Sequence, residues 1–171
     1  MIAKALDFTK TALDQYLKNQ FVLDEDTVIV NEVINIDGSL PEVNKNKVVL
    51  TLINIENETI KPFQSFRSQS STGNNDLIEN GVRYNLYLLM SSNFSNYRES
   101  LTFLNAVLNF FQVNPLLSNG SFPNFPQGID KLTFDVENIS FHQIHNLWNA
   151  TGAKYRPSVI YKMRLITTAI T

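Results

Sequence analysis

Cysteine is absent from the chain, which removes disulfides and thiolate metal sites and leaves the redox compartment unreadable from thiols. Histidine is almost as scarce. Only His142 and His145 are available as a base for a serine nucleophile, and no Gly-X-Ser-X-Gly turn accompanies them. Glycine is sparse too: Gly73, Gly81, Gly120 and Gly128 are scattered through polar loops and none opens a helix after a strand, so no phosphate-cradling loop is present. Neither sign of charge dominates. With 14 Lys+Arg against 16 Asp+Glu the net charge is −2, too balanced for counterion release from a nucleic-acid backbone to drive binding. No apolar run approaches the length of a membrane span, and Asp7 interrupts the apolar region that a signal peptide would need. A soluble, cytoplasmic product without nucleic-acid or membrane partners is expected.

What is present is ordinary globular material: 171 residues, 43% hydrophobic, with 12 Phe and 6 Tyr to fill a core. A helix is predicted from Ile2 to Gln20, with Leu6, Leu13 and Leu17 on one face, and the acidic turn Asp24-Glu25-Asp26 ends it. Thr27 to Ile34 reads as a strand. Asp37-Gly38 and Pro41 mark a turn before Lys47 to Ile55, a second strand apolar on both faces. From Glu56 to Gly81 the chain is a polar run of Ser, Gln, Asn and Gly, read as a long loop at about 56–82. A third strand follows from Arg83 to Ser91. Asn96, with Glu99 three residues on, caps a helix whose Tyr97, Leu101, Leu104, Leu108 and Phe111 recur at alternating spacings of four and three. Phe103, Val107 and Phe110 widen that stripe to about half the circumference, more than a helix lying on a sheet needs.

Beyond Asn114-Pro115 comes a loop, then Lys131 to Glu137 as an alternating strand. Ser140 and Gln143 form a capping box for a short helix with Phe141, Ile144 and Trp148 on its buried stripe. Gly152 supplies the positive φ that ends this helix, and Pro157 forces a restart in extended form. From Ser158, Val159, Tyr161, Met163 and Leu165 point to a core while Lys162 and Arg164 point away, a strand with a cationic outer face. The order is helix, three strands, helix, strand, helix, strand. This favours a single α+β domain spanning residues 1–171, with helices packed on a mixed, largely antiparallel sheet.

Catalytic and metal chemistry find little footing. His142 and His145 sit three apart on one helix near Glu137, but a metal site needs three or four convergent ligands, and His145, on the stripe of Phe141 and Trp148, reads as a half-buried structural residue. Glu56 and Glu58 share a side if their strand continues, and paired carboxylates there are ordinarily solvated. No catalytic residue, metal or cofactor is assigned.

The resemblance to a known family is distributed along the chain. It runs through Asn46 to Glu56, Asn85-Leu86-Tyr87-Leu88-Leu89 with Asn93-Phe94 and Asn96-Tyr97, Phe110-Phe111-Gln112, and Gly152-Ala153-Lys154-Tyr155-Arg156-Pro157-Ser158-Val159-Ile160-Tyr161-Lys162-Met163-Arg164. In these segments the sequence resembles the cap, or tail-terminator, proteins of phage-tail-like contractile injection systems, in particular their N-terminal module. The resemblance implies a non-catalytic ring, usually a hexamer, that sits on the distal end of the inner tube, meets the sheath and stops polymerisation. Its implied partners are other copies of itself, the tube protein and the sheath protein, with assembly into particles in the cytoplasm. Candidate contacts are Lys154, Tyr155, Arg156, Lys162 and Arg164 from the final segment, with Phe63, Phe66 and Arg67 from the loop, since Tyr and Arg concentrate binding energy. The longer relatives continue past this module, and no role of their extension carries over. The rival reading is a monomeric small-ligand-binding domain with the loop from Glu56 to Gly81 as its lid.

Overall fold

Residues 1–58 and 83–167 are described by a computed structural model. Phe63, Phe66 and Arg67 lie outside the described residues. Helix α1 (Ile2–Phe21) turns Ala5, Leu6, Leu13 and Leu17 inward, the spacing its sequence implied. It ends on Val22, which holds a left-handed φ of 55° usually left to glycine and is 91% exposed.

The turn that follows is braced by charge. Asp14 is buried on α1, and its Oδ1 accepts from the Thr27 and Val28 amides at 2.6 and 2.8 Å. Lys18 lies 3.2 Å from Asp14 Oδ2 and 2.5 Å from Asp26 Oδ1, while Lys10 reaches Asp26 Oδ2 at 2.7 Å. The Lys47 ammonium donates to the Asp26 carbonyl. Lys10 first, then Lys18, hold the Asp26 carboxyl well below the usual carboxylate range, and Asp26 in turn raises Lys18. Stabilisation from Asp26 is therefore present above the ordinary carboxylate pKa and is lost as pH falls through the lower folded value.

Strands β1 (Val28–Val30), β2 (Val48–Asn57), β3 (Arg83–Ser92), β4 (Leu116–Ser118), β5 (Ile129–Val136) and β6 (Ser158–Thr167) form one sheet in the order β1-β2-β3-β6-β5-β4. Among the described residues only β1 and β2 run parallel. The sheet is thus mixed and largely antiparallel, as the sequence implied. Three local expectations change. The first strand stops at Val30, because Asn31 leaves the ladder after donating to Leu50 O and accepting from the Thr51 hydroxyl. β2 is fully buried only over Val48–Leu50, the stretch β1 covers, and its far end is exposed. The loop after Pro115 contains β4, which buries Leu117 and pairs with β5.

Helices α1 and α2 (Tyr97–Val113) cover one face of the sheet, meeting Leu50, Leu86, Leu88, Met90, Met163 and Leu165. Aromatic rings fill the seam: Phe111 lies 4.5 Å from Phe134 and 4.6 Å from Tyr161, and Tyr16 lies 5.3 Å from Phe110. Helix α3 (Phe141–Thr151) packs on a second cluster, with Trp148 against Val33, Leu89 and Ile160. Its capping box forms as expected, but the stripe that packs is buried Trp148 with half-buried Ile144 and Leu147. Phe141 is 94% exposed and His145 is exposed as well, because α3 packs through the side that bears Ile144, Leu147 and Trp148, and both residues lie off that side.

Candidate assembly surfaces

The final strand alternates as its sequence dictates, with Tyr161, Met163 and Leu165 buried in the core shared with α1 and α2. On the opposite face, register places Asp135 beside Lys162 and Thr133 beside Arg164. Arg164 lies 3.2 Å from Asp135 and 4.0 Å from Glu58, and Lys162 lies 4.0 Å from Glu137. The Tyr87 hydroxyl donates to Glu56 at 2.8 Å. This face is charge-balanced where the isolated strand reads as cationic, because a strand's own sequence carries no sign for its neighbours. Glu56 is exposed, as the sequence implied, whereas Glu58 is half-buried beside Arg164 and helps to balance the face.

Two hydroxyls on the sheet resist ionisation. The hydrogen bond to Glu56, with desolvation, pushes Tyr87 up to about 12, and burial alone pushes Tyr161 to about 12. A raised tyrosine contributes stability that is complete below the unfolded value near 10 and is lost as pH rises through the folded value. Absorbance titration is expected to show two late phenolic steps, unfolding to accelerate between about pH 10 and 12, and Tyr87→Phe to remove one late step without harming the fold.

On α2, the Asn96 side chain accepts from the Arg98 and Glu99 amides at 2.9 and 3.3 Å and fixes where the helix starts. Phe103, Val107, Phe110 and Phe111 then turn inward. Tyr97, at 66% exposure, leads an outward stripe with Leu101 and Leu108, which are partly exposed among the described residues. Among the described residues the surplus apolar width legible in the sequence is thus left partly exposed.

A second feature is an edge. Val48 and Leu50 direct main-chain groups at β1, but β1 stops there, and a bulge between Leu52 and Asn54 shifts the phase. Past the bulge, Glu58 N–H donates to Arg83 O at 3.0 Å, so Glu58, Glu56 and Asn54 serve β3 while Ile55 and Asn57 face outward. Among the described residues no strand pairs with that half of β2.

The third feature is a cleft of about 570 Å³ where the β1–β2 connection, the β3–α2 connection and the segment after α3 converge. Val33, Leu40, Glu42, Lys45, Lys154 and Arg156 are among the residues that line it. Gly152, with φ 72°, ends α3, and the Pro157 carbonyl accepts from Ser92 N–H at 2.9 Å, so the cations are carried on a tightly routed segment. Tyr155 turns outward with its ring 5.6 Å from Trp148. The five residues singled out from the final segment thus divide between the cleft, its rim and the balanced sheet face. Lys45 and Glu42 escaped the sequence reading because nothing in their polar turn distinguishes them. His142 and His145 bond to Asn146 and Asn149 one turn on, and among the described residues no group of three His, Asp or Glu gathers to hold a metal.

Comparison with known proteins gives a consistent result. The family profile described as the Pvc16 N-terminal domain matches residues 9–170. No curated protein sequence matches the chain. Among solved structures, the chain is similar to the sheath/tube terminator of an extracellular contractile injection system, PVC, in its extended state, with a TM-score of 0.58, 17% identity, and coverage of 100% of this chain and 57% of that one. It is similar also to the tube-terminating cap of the anti-feeding prophage, with a TM-score of 0.55, 14% identity, and coverage of 95% of this chain and 55% of that one. The chain spans a little over half the length of these two proteins, and at such identities the likeness is one of fold.

Proposed function

The chain belongs to the Pvc16 N-terminal domain family, and from that premise we propose that it is a structural subunit that caps the distal end of the tube or sheath of a contractile injection system. The observation that carries this reading is that essentially all of the described fold matches two proteins that are terminators. Capping needs occupancy and no turnover: the subunit replaces the surface on which the next polymer subunit would dock.

The partly exposed stripe of α2 and the open half of β2 supply what such a role requires. A ring, six-fold in our reading, needs a contact between copies that closes on itself. The sheath needs a hold on the ring, and the outward groups of Ile55 and Asn57 can accept an added strand by main-chain hydrogen bonds. Lys154, Tyr155, Arg156, Lys162 and Arg164, with Phe63, Phe66 and Arg67, remain our proposed contacts, and assembly is proposed to take place in the cytoplasm.

Particles produced with and without this chain and imaged by negative stain test the proposal. Ragged or overlong tubes are expected in its absence, and an unchanged length distribution overturns the reading. Ile55→Pro refines it: the lost N–H faces away from β3, so the variant is expected to fold with a thermal midpoint within about 4 °C of the parent. Particles carrying it are expected to have tubes of normal length but to lose their sheath during purification.

A further inference from the structure

The turn after α1 divides cleanly into residues that hold it and residues that it displays. Asp14, Lys10, Lys18, Asp26 and Lys47 are all spent on internal bonds. Val22, Asp24 and Glu25 are exposed, and neither acid has an ion pair among the described residues. Val22 contributes nothing to the core, yet it sits in a backbone conformation that a β-branched residue pays for, and such outliers cluster at functional places. A rigid apolar-acidic knob results.

The cleft beside β6 has the opposite character. The side chains of Lys45, Lys154 and Arg156 make no hydrogen bond or ion pair among the described residues, against one carboxylate, Glu42, and Leu40 offers an exposed apolar wall. We infer that the occupant of this cleft is the Val22–Glu25 knob of a second copy of this chain, with Asp24 and Glu25 meeting Lys154, Arg156 and Lys45 while Val22 packs on Leu40. Charge complementarity selects the register, and the braced turn arrives preorganised, so little conformational entropy is lost on docking. The contact joins two different surfaces, the heterologous kind from which closed rings are built. The inference rests on the capping proposal for its biological setting, but the contact itself is testable without it.

Charge exchange between copies gives the test. Lys154→Glu/Arg156→Glu makes both surfaces of one copy acidic, and Asp24→Lys/Glu25→Lys makes both surfaces of another basic. Each alone is expected to self-associate at least about tenfold more weakly than the parent in sedimentation runs, with unchanged circular dichroism, and an equimolar mixture is expected to recover association. Because the chain has no cysteine of its own, copies carrying Val22→Cys and copies carrying Leu40→Cys are expected to form a mixed disulfide on oxidation, free or on tube ends. Single variants that associate like the parent, a mixture that stays dissociated, or parent copies that remain monomeric while the Val22→Cys and Leu40→Cys copies give no mixed disulfide each overturn the contact. Its failure is separable from that of the capping role: recovered association with indifferent tube lengths sinks capping alone, and chain-dependent tube lengths without recovery sink this contact alone.

Discussion

Phe111→Ala is expected to lower the stability of the fold by about 3–5 kcal/mol, read as a fall in the urea midpoint at unchanged slope. Phe111 is 2% exposed, and its ring lies 4.9 Å from Phe110, 4.5 Å from Phe134 and 4.6 Å from Tyr161. Truncation opens a cavity where α2 meets β5 and β6, and the surrounding rings are too stiff to collapse into it. Phe111→Leu should restore part of the loss. The instructive control is Leu101→Ala, from the same run of four-and-three spacings but on the exposed side of α2. That change is expected to stay within about 0.5 kcal/mol of the parent. A loss as large as that of Phe111→Ala would mean that the outward stripe is covered in the free chain, which would remove it as a surface for neighbouring copies.

That pair of residues also marks the boundary of what the sequence discloses. Caps, breakers and alternation are local, and they were legible: Asn96, the Ser140–Gln143 box, Gly152 and Pro157 each do in the fold what their chemistry implies. So was the fold class, because element order and periodicity leave few layer arrangements. The helical run from Tyr97 to Phe111 disclosed too much apolar surface for one face, but not which side would be turned inward, since that depends on where α1 lies. Lys162 and Arg164 show the same limit in charge: their neighbours Asp135, Glu137 and Glu58 come from other segments, and pairing alone turns a cationic strand into a balanced face. His145 is exposed because the stripe it shares with Phe141 is rotated away from the side of α3, Ile144, Leu147 and Trp148, that packs on the sheet. The cleft was invisible for a deeper reason. Its cations lie more than a hundred residues apart in sequence, at Lys45 and at Lys154 and Arg156, and only β2, β3 and β6 lying side by side brings them together.

Asp14→Ala is expected to be as costly as the core truncation, by another mechanism. The carboxylate is buried, with Oδ1 shared by the Thr27 and Val28 amides, and its removal leaves two buried donors without an acceptor at about 1–3 kcal/mol each. Little apolar surface is lost, so the cavity term is small and the penalty comes from desolvated N–H groups. Asp14→Asn keeps an acceptor oxygen and should recover roughly half of the loss, a rescue that a packing defect would not show. The consequence reaches beyond stability. Asp14 ties the end of α1 to the start of β1, and the turn between them displays Val22, Asp24 and Glu25. In conditions where the variant remains folded by circular dichroism, its self-association is expected to weaken although no displayed residue has changed. Folded Asp14→Ala copies that associate as tightly as the parent would show that the turn needs no bracing to dock, and would remove preorganisation from the account of the contact.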